Sequence, residues 1–336
     1  MKLRGAISGF GEVAAQGHLP GWIAREDVSI VAIQDPVSER RQLAMRLLKN
    51  ARIYDDLGLM LDGEAPDFVD IASPPAFHAK AIRAVLDAGA HVLCEKPLCL
   101  DLAEFDELTK LAAERGRILM CVHNWKHAPA FAVARHALAS GRLGALRFIR
   151  IDRMRTEPAG GAGKWRSEKS SGGGILIDHG WHAFYLMQWL MGDAPLSVSA
   201  FLAHQAQSDL EDIADIRVMF PGQRLVSAHL SWRSPVRQTK TLLYGDKAML
   251  EIDRDRVVLT ERSGHSEDLT VEDAPDDSYH STWFGKVAED FERAIAFGSS
   301  GSVASRNHQE ARTAVKLIEA ARRSATTGGS AVILHD

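Results

Sequence analysis

Leu3-Arg4-Gly5-Ala6-Ile7-Ser8-Gly9-Phe10-Gly11-Glu12-Val13-Ala14 opens the chain with a short apolar run that breaks into small residues. The run reads as a buried strand, and Gly9-x-Gly11-x-x-Ala14 as the turn that leads from it into a helix. Gly9 permits the tight turn, Gly11 leaves room for a pyrophosphate against the backbone, and Ala14 lets the helix lie close to the strand. Backbone N–H groups along Gly9, Phe10, Gly11, Glu12 and Val13 are the expected phosphate donors at the helix start.

A second apolar run, residues 28–34, ends in Asp35, 21 positions after Ala14. A carboxylate about 20 residues on is where the adenine-ribose hydroxyls are met in a dinucleotide site. Such a carboxylate accepts from ribose hydroxyls and repels a 2′-phosphate, so NAD and not NADP is the expected cofactor. Arg40 and Arg41 follow at helical spacing; they read as a solvated face, with a 2′-phosphate contact as the other reading.

The chain has 336 residues, beyond the roughly 250–300 at which a single core stops growing, so two domains are expected. Hydrophobic residues make up 46% and charged residues 25%, within the soluble globular range. A formal net charge of −4 offers no footprint for nucleic acid. No run approaches the ~18 apolar residues of a membrane span, and a strand at the very start leaves no room for a signal peptide. Cys94, Cys99 and Cys121 fit reduced thiols better than a disulfide framework. A cytoplasmic location is the expectation from these features.

From residue 1 to 123 apolar strands alternate with amphipathic helices, the pattern of a doubly wound parallel sheet. Strands are expected near 53–54, 68–72, 91–94 and 118–122, and helices over 37–49, 76–88 and 101–115. Ligands lie beyond the carboxyl ends of such strands, here Gly9, Asp35, Ser73, Glu95-Lys96 and the segment from His123 to Asn124. Residues 124–336 differ. A helix over 130–140 precedes a strand at 146–151, a glycine-rich loop at 159–163 and Trp165-Arg166. Gly172-Gly173-Gly174 then opens a helix reaching about 191. Strand-like runs at 197–204, 213–220, 225–232, 240–244, 248–252 and 257–260 predict a large, mostly antiparallel open sheet with one face free for an interface. Helices over 282–297 and 307–325 and a strand at 331–334 close the chain.

Three motifs give the chain a resemblance to the Gfo/Idh/MocA family of NAD(P)-dependent oxidoreductases along nearly its whole length. They are Gly9-x-Gly11-x-x-Ala14 with Asp35, Cys94-Glu95-Lys96-Pro97, and Gly172-Gly173-Gly174-x-x-x-Asp178-x-Gly180-x-His182. The resemblance implies a Rossmann domain followed by an α/β domain with an open sheet. It also implies hydride transfer between nicotinamide and a sugar, cyclitol or similar polyol, and a homodimer or homotetramer through the second sheet.

Lys96 follows a buried strand at a ligand-bearing end, and the proline after it can hold a sharp turn that aims the lysine inward. By resemblance it touches nicotinamide-side groups and the substrate oxygen, where a cation stabilises developing alkoxide charge. Glu95 is expected to orient backbone or ribose. Asp178 and His182, four apart on the expected helix, share a face. One would fix the substrate hydroxyl while the other removes its proton. Many relatives place an aspartate three residues after this histidine, where Tyr185 stands here. Ser73, Pro74 and His78 match the family's loop against the nicotinamide ribose. Asn124 stands with Lys126 at the expected domain junction, and Trp165 and Arg166 look like the loop that closes over the cofactor.

The 14 histidines raise a metal reading, but neither His123 with His127 nor His179 with His182 comes with a third ligand, so no metal is expected. Two other functions fit the same motifs. One is glycosidic cleavage or elimination through transient oxidation by bound NAD. The other is a non-catalytic NAD sensor, which has no need of three reactive polar groups.

Overall fold

The computed structural model describes residues 2–158, 165–204, 210–273, 279–299 and 301–334. The expected loop at 159–163 therefore lies outside the described residues. Two compact units emerge, one of residues 1–124 with 274–311 and the other of residues 125–273 with 312–336. The return of residues 274–311 to the first unit is announced by no shift in composition.

In the first unit, β1 (Leu3–Ser8), β2 (Val28–Gln34), β3 (Arg52–Tyr54), β4 (Phe68–Ile71), β5 (His91–Cys94) and β6 (Leu119–Cys121) form one parallel sheet in the order β3-β2-β1-β4-β5-β6. The strand order reverses between β1 and β4, the place where a doubly wound sheet opens a ligand crevice. Every residue of β4 is buried, as expected for a parallel strand covered on both faces. The connections carry α1 (Leu19–Ile23), α2 (Ser38–Leu47), α3 (Leu57–Glu64), α4 (His78–Asp87) and α5 (Leu102–Glu114). Asp101 caps α5 by accepting from Glu104 N. Asp56 does the same for α3, a short glycine-containing helix with no clear period in the sequence. At the sheet edge, the Asn307 amide accepts from Cys121 N and donates to Cys121 O, satisfying backbone that a further strand would otherwise pair.

The second unit begins with α6 (Pro129–Ala139) and β7 (Leu146–Met154), followed by α7 (Trp181–Met191) and β8 (Ser197–Ala203). Next come β9 (Ile213–Phe220), β10 (Arg224–Ser231), β11 (Gln238–Gly245), β12 (Ala248–Asp253), β13 (Arg256–Glu261) and β14 (Ser266–Asp268). In the first unit α8 (Ser281–Phe297) and the start of α9 (Ser302–Thr326) follow, and β15 (Val332–Ile333) closes the second. The strands make a sheet in the order β14-β13-β12-β11-β7-β10-β9-β8-β15, antiparallel except where β10 runs parallel to β7. Burial alternates along β9, β10 and β12, so one face is core and the other is partly exposed. α7 is buried on nearly every side. The helix expected to run unbroken from Gly174 instead starts as a π turn, Leu176–Gly180. α9 begins five residues before its expected start.

A second π turn, Ala14–His18, precedes α1 and carries His18 into the core of the first unit. Its Nδ1 lies 3.0 and 3.1 Å from the two Asp70 carboxylate oxygens, and its Nε2 lies 3.1 Å from Glu95 Oε1. Trp22 Nε1 donates to Asp70 Oδ2 at 2.8 Å, and the Phe284 ring from α8 stacks on the imidazole at 3.9 Å. Burial works against the charged ring, but the Asp70 and Glu95 carboxylates outweigh it and raise His18 to about 9. The folded value lies above the ordinary 6.5, so the stabilisation is complete below 6.5 and is lost as pH rises through 9. Its size is about 3 kcal/mol. Urea unfolding at pH 6.5 and 9.5 is expected to show that loss in the native protein and a much flatter profile in His18→Gln. Parallel losses in the two proteins would show that the imidazole is not the titrating group.

Candidate functional site

The turn after β1 is built as a cradle. Gly9 has φ +87°, and a Cβ there would stand 2.6 Å from Ser73 N, so only glycine allows the close approach of the loop after β4. At Gly11 a Cβ would meet nothing within 4 Å, leaving the backbone open on its ligand side. Asp35 is 6% exposed; its Oδ2 accepts from Phe10 N at 2.6 Å and its Oδ1 from Val37 N at 2.8 Å. A carboxylate offers about four lone-pair positions, so two remain for ribose hydroxyls. The Arg41 guanidinium donates to the Asp35 and Pro36 carbonyls. Ser73 Oγ is buried and has no hydrogen-bond partner among the described residues. An open glycine turn, a carboxylate with spare acceptors and an unpaired buried hydroxyl fit a dinucleotide.

The turn after β5 presents Lys96, which is 8% exposed, ahead of a cis Lys96–Pro97 peptide. Glu95 Oε2 accepts from Lys96 N at 3.0 Å while its Oε1 meets His18. Burial pushes the Glu95 carboxyl up, and the hydrogen bond and charge of His18 overcome it, leaving it below the ordinary carboxylate value. Glu95 therefore orients backbone, and it does so as an anion. His78 is buried, with Nδ1 2.6 Å from Pro97 O and Nε2 2.7 Å from Ser73 O. Its ring ties the loop after β4 to the turn after β5, and burial lowers its pKa. Pro74 leads into that loop's 3₁₀ turn, Pro75–Phe77. Asn124 begins the 3₁₀ turn Asn124–His127 and is half-buried.

In the second unit, the chain after Trp165 folds tightly onto the glycine run. Gly174 N donates to Arg166 O, and a Cβ on Gly173 would stand 2.4 Å from the same carbonyl. That close approach sets Arg166 Nε 3.1 Å from Asp178 Oδ1, with Asp178 only 4% exposed. The Arg166 guanidinium also lies over the Trp165 ring, 4.5 Å from its centre. His179 Nε2 stands 3.6 Å from Asp178 Oδ2. His182 is half-buried one helical turn on, its Nδ1 2.9 Å from the Tyr185 hydroxyl. Trp125 N donates to that hydroxyl oxygen, and the Trp125 ring lies 5.2 Å from the imidazole. Tyr185, fully buried, thus holds the histidine from the position where the resemblance puts an aspartate in many relatives.

Two groups escaped the sequence reading. The His18–Asp70–Glu95 network left one signal, an aspartate in the middle of the apolar run Phe68-Val69-Asp70-Ile71. The other is a set of arginines at the end of β7. Arg153 is buried; its guanidinium donates to the Asp152 and Lys240 carbonyls and to Thr241 Oγ1, and it lies 4.9 Å from the centre of the Trp125 ring. Burial pushes Arg153 down to about 10. Among the described residues no group of three or more His, Cys, Asp or Glu side chains is placed to hold a metal ion. Nor is any described helix long and apolar enough to cross a membrane.

Comparison with known proteins places these units in one family. Residues 3–123 match the oxidoreductase family with an NAD-binding Rossmann fold, and residues 131–251 match the GFO/IDH/MocA C-terminal domain. D-Glucoside 3-dehydrogenase of Escherichia coli (strain K12) is 30% identical over 190 residues, 56% of this chain and 54% of that protein. The chain spans about half the length of the first curated relatives it matches. 2,7-Anhydro-N-acetylneuraminate hydratase of Mediterraneibacter gnavus is 25% identical over 291 residues, 82% of this chain and 74% of that protein. The crystal structure of GenD2 from gentamicin A biosynthesis in complex with NAD superposes with a TM-score of 0.85 at 25% identity, covering 100% of this chain and 97% of the other. An NAD-binding Rossmann domain joined to this C-terminal domain makes the chain a member of the Gfo/Idh/MocA family of oxidoreductases.

Proposed function

We propose that the protein is an NAD-dependent oxidoreductase that interconverts a secondary alcohol and its ketone on a sugar, cyclitol or similar polyol. The observation that carries this reading is the buried Lys96 at the mouth of the NAD-binding sheet, in a chain that also holds a buried Asp178 and a tethered His182. Relatives named as sugar dehydrogenases support the substrate class. Bound NAD supplies the hydride acceptor or donor. Gly9, Phe10, Gly11, Glu12 and Val13 would hold its phosphates, Asp35 the adenine ribose, and Ser73 the nicotinamide side, with Pro74, Glu95, Asn124, Trp165 and Arg166 as further contacts. His78 sets the spacing of the two loops.

Lys96 donates to the substrate oxygen and stabilises the charge that grows there as the C–H bond breaks. Asp178, fixed by Arg166, orients the hydroxyl. His182 takes the hydroxyl proton on Nε2 when Nδ1–H is donated to the Tyr185 oxygen, which also accepts from Trp125 N. A relative named as a hydratase, matched over 82% of the chain, favours a second reading in which oxidation is transient and elimination follows. Product formation with no net NADH would select it.

Calorimetric titration should show NAD bound at least about tenfold more tightly than NADP, because Asp35 repels a 2′-phosphate. Tighter NADP binding would reverse the assignment. Asp35→Ser is expected to weaken NAD as well, since the carboxylate also holds Phe10 N in the glycine turn.

Lys96→Met is expected to lower kcat by roughly a hundredfold with little change in melting temperature. The ionisation in the kcat/KM profile for oxidation should vanish in His182→Ala and survive in Lys96→Met. The opposite pattern would hand proton transfer to the lysine and leave the histidine as an anchor.

We also read the partly exposed face of the second sheet as the contact with a second copy of the chain. Met219, Leu225, Phe148, Tyr244 and Met249 form a half-buried row across five adjacent strands, which supports it. Tyr244→Glu should reduce the mass measured by light scattering; a monomeric native protein would end this reading.

A further inference from the structure

The same face of the second sheet that carries Arg153 carries two more guanidiniums. β7 and β11 are antiparallel, with Arg153 opposite Thr239 and Met154 opposite Gln238. Arg155 follows Met154 and Arg237 precedes Gln238, so the two arginines flank this last pair at the open end of the ladder. Arg155 N donates to Ser231 O, the last bond of the ladder with β10. The alternation of β7, carried one residue past Met154, puts Arg155 on the side of Ile151 and Arg153, opposite to Arg150 and Asp152. Like charges directly opposite each other destabilise a sheet unless something stands between them.

Nothing among the described residues does. The guanidiniums of Arg155 and Arg237 make no hydrogen bond or ion pair there, although Arg155 is half-buried. Burial first, and then the charges of Arg237 and Arg166, push Arg155 below the ordinary arginine value, with Asp178 opposing them. Asp178, the carboxylate among the described residues whose charge reaches Arg155, is already engaged by Arg166. Arg153 spends its donors on carbonyls and a hydroxyl and adds a further positive charge. Two guanidiniums, Arg166 and Arg155, thus share the one charge of Asp178, and Arg237 adds a further positive charge beside Arg155. A half-buried guanidinium without a carboxylate is costly alone, and a forked donor pair is matched by an oxyanion.

We propose that Arg155 and Arg237, beside Arg166, form an anion-recognition site in the second unit, and that the substrate is a sugar or polyol bearing a carboxylate or phosphate. This rests on the oxidoreductase reading above for the identity of the substrate, but not for the binding of the anion. Arg155 and Arg237 are specificity-determining residues: they hold the substituent and take no part in proton or hydride movement.

The test uses the full chain loaded with NADH, titrated calorimetrically with D-glucuronate, D-glucose 6-phosphate and D-glucose. At least one anion is expected to bind tenfold or more tightly than glucose, with glucuronate and the phosphate separating the two sources. Arg155→Met should weaken that anion by roughly a hundredfold while leaving glucose and NADH unchanged. Arg237→Gln, at an exposed position, should weaken it less and serves if Arg155→Met does not fold. Equal binding of glucose and both anions would overturn the proposal. So would a loss of NADH affinity in Arg155→Met, which would give the arginine to the cofactor. Tight anion binding that depends on Arg155, with no NADH formed when the anions are then incubated with the protein and NAD and no NADH consumed when their ketones are supplied, would leave the site standing and defeat the oxidoreductase reading.

Discussion

A buried imidazolium held between two carboxylates organises the first unit. His18 reaches Asp70 on β4 and Glu95 at the end of β5, and lies under the Phe284 ring of α8. Three charges inside a sheet domain persist only if every one is partnered, because an uncompensated buried ion costs several kcal/mol. Asp70 takes the ring Nδ1 and the Trp22 indole, and Glu95 takes Nε2 and the Lys96 backbone N–H. The network therefore does more than stabilise: through Glu95 it fixes the backbone from which Lys96 projects. The π turn at Ala14–His18 belongs to the same constraint, since one extra residue in that turn is what brings His18 inward.

The second unit solves a different problem with different means. A run of three glycines lets the Trp165–Arg166 segment press against the start of a helix, and the carboxylate of Asp178 meets Arg166 as a result. His182 is tethered by a phenol in place of a carboxylate. A phenol can donate or accept, so Tyr185 sets the ring's position firmly while leaving its tautomer responsive to what binds at Nε2. An aspartate there would have fixed the tautomer outright. The charge balance also differs: the first unit neutralises its buried cation with two carboxylates, whereas the second gathers guanidiniums around one.

Much of the first unit was legible because its signals are local. A glycine at φ +87°, a carboxylate at the end of the second strand and the capping Asp101 are read from spacing alone. The buried strands announce themselves as unbroken apolar runs. The expected Lys96 turn is also local, since the proline follows it directly. What escaped lies far apart in the chain: His18 meets Asp70 across 52 positions and Glu95 across 77. His78 matches the family's nicotinamide-ribose loop by resemblance alone, and only the fold shows its two nitrogens facing the Pro97 and Ser73 carbonyls.

The sequence by itself determined the doubly wound sheet, the open turn at Gly9 and Gly11 with Asp35 at the end of the next strand, and the residue types available for chemistry. Each follows from backbone conformation or periodicity over a few consecutive residues. The tertiary structure alone decided which of those residues are partnered. Strand register brought the ends of β7 and β11 together and with them Arg155 and Arg237, helix packing set Phe284 on His18, and close approach to Gly173 delivered Arg166 to Asp178. Hydrogen bonds and charges act over a few ångströms, and only the folded chain fixes which distant residues come that near.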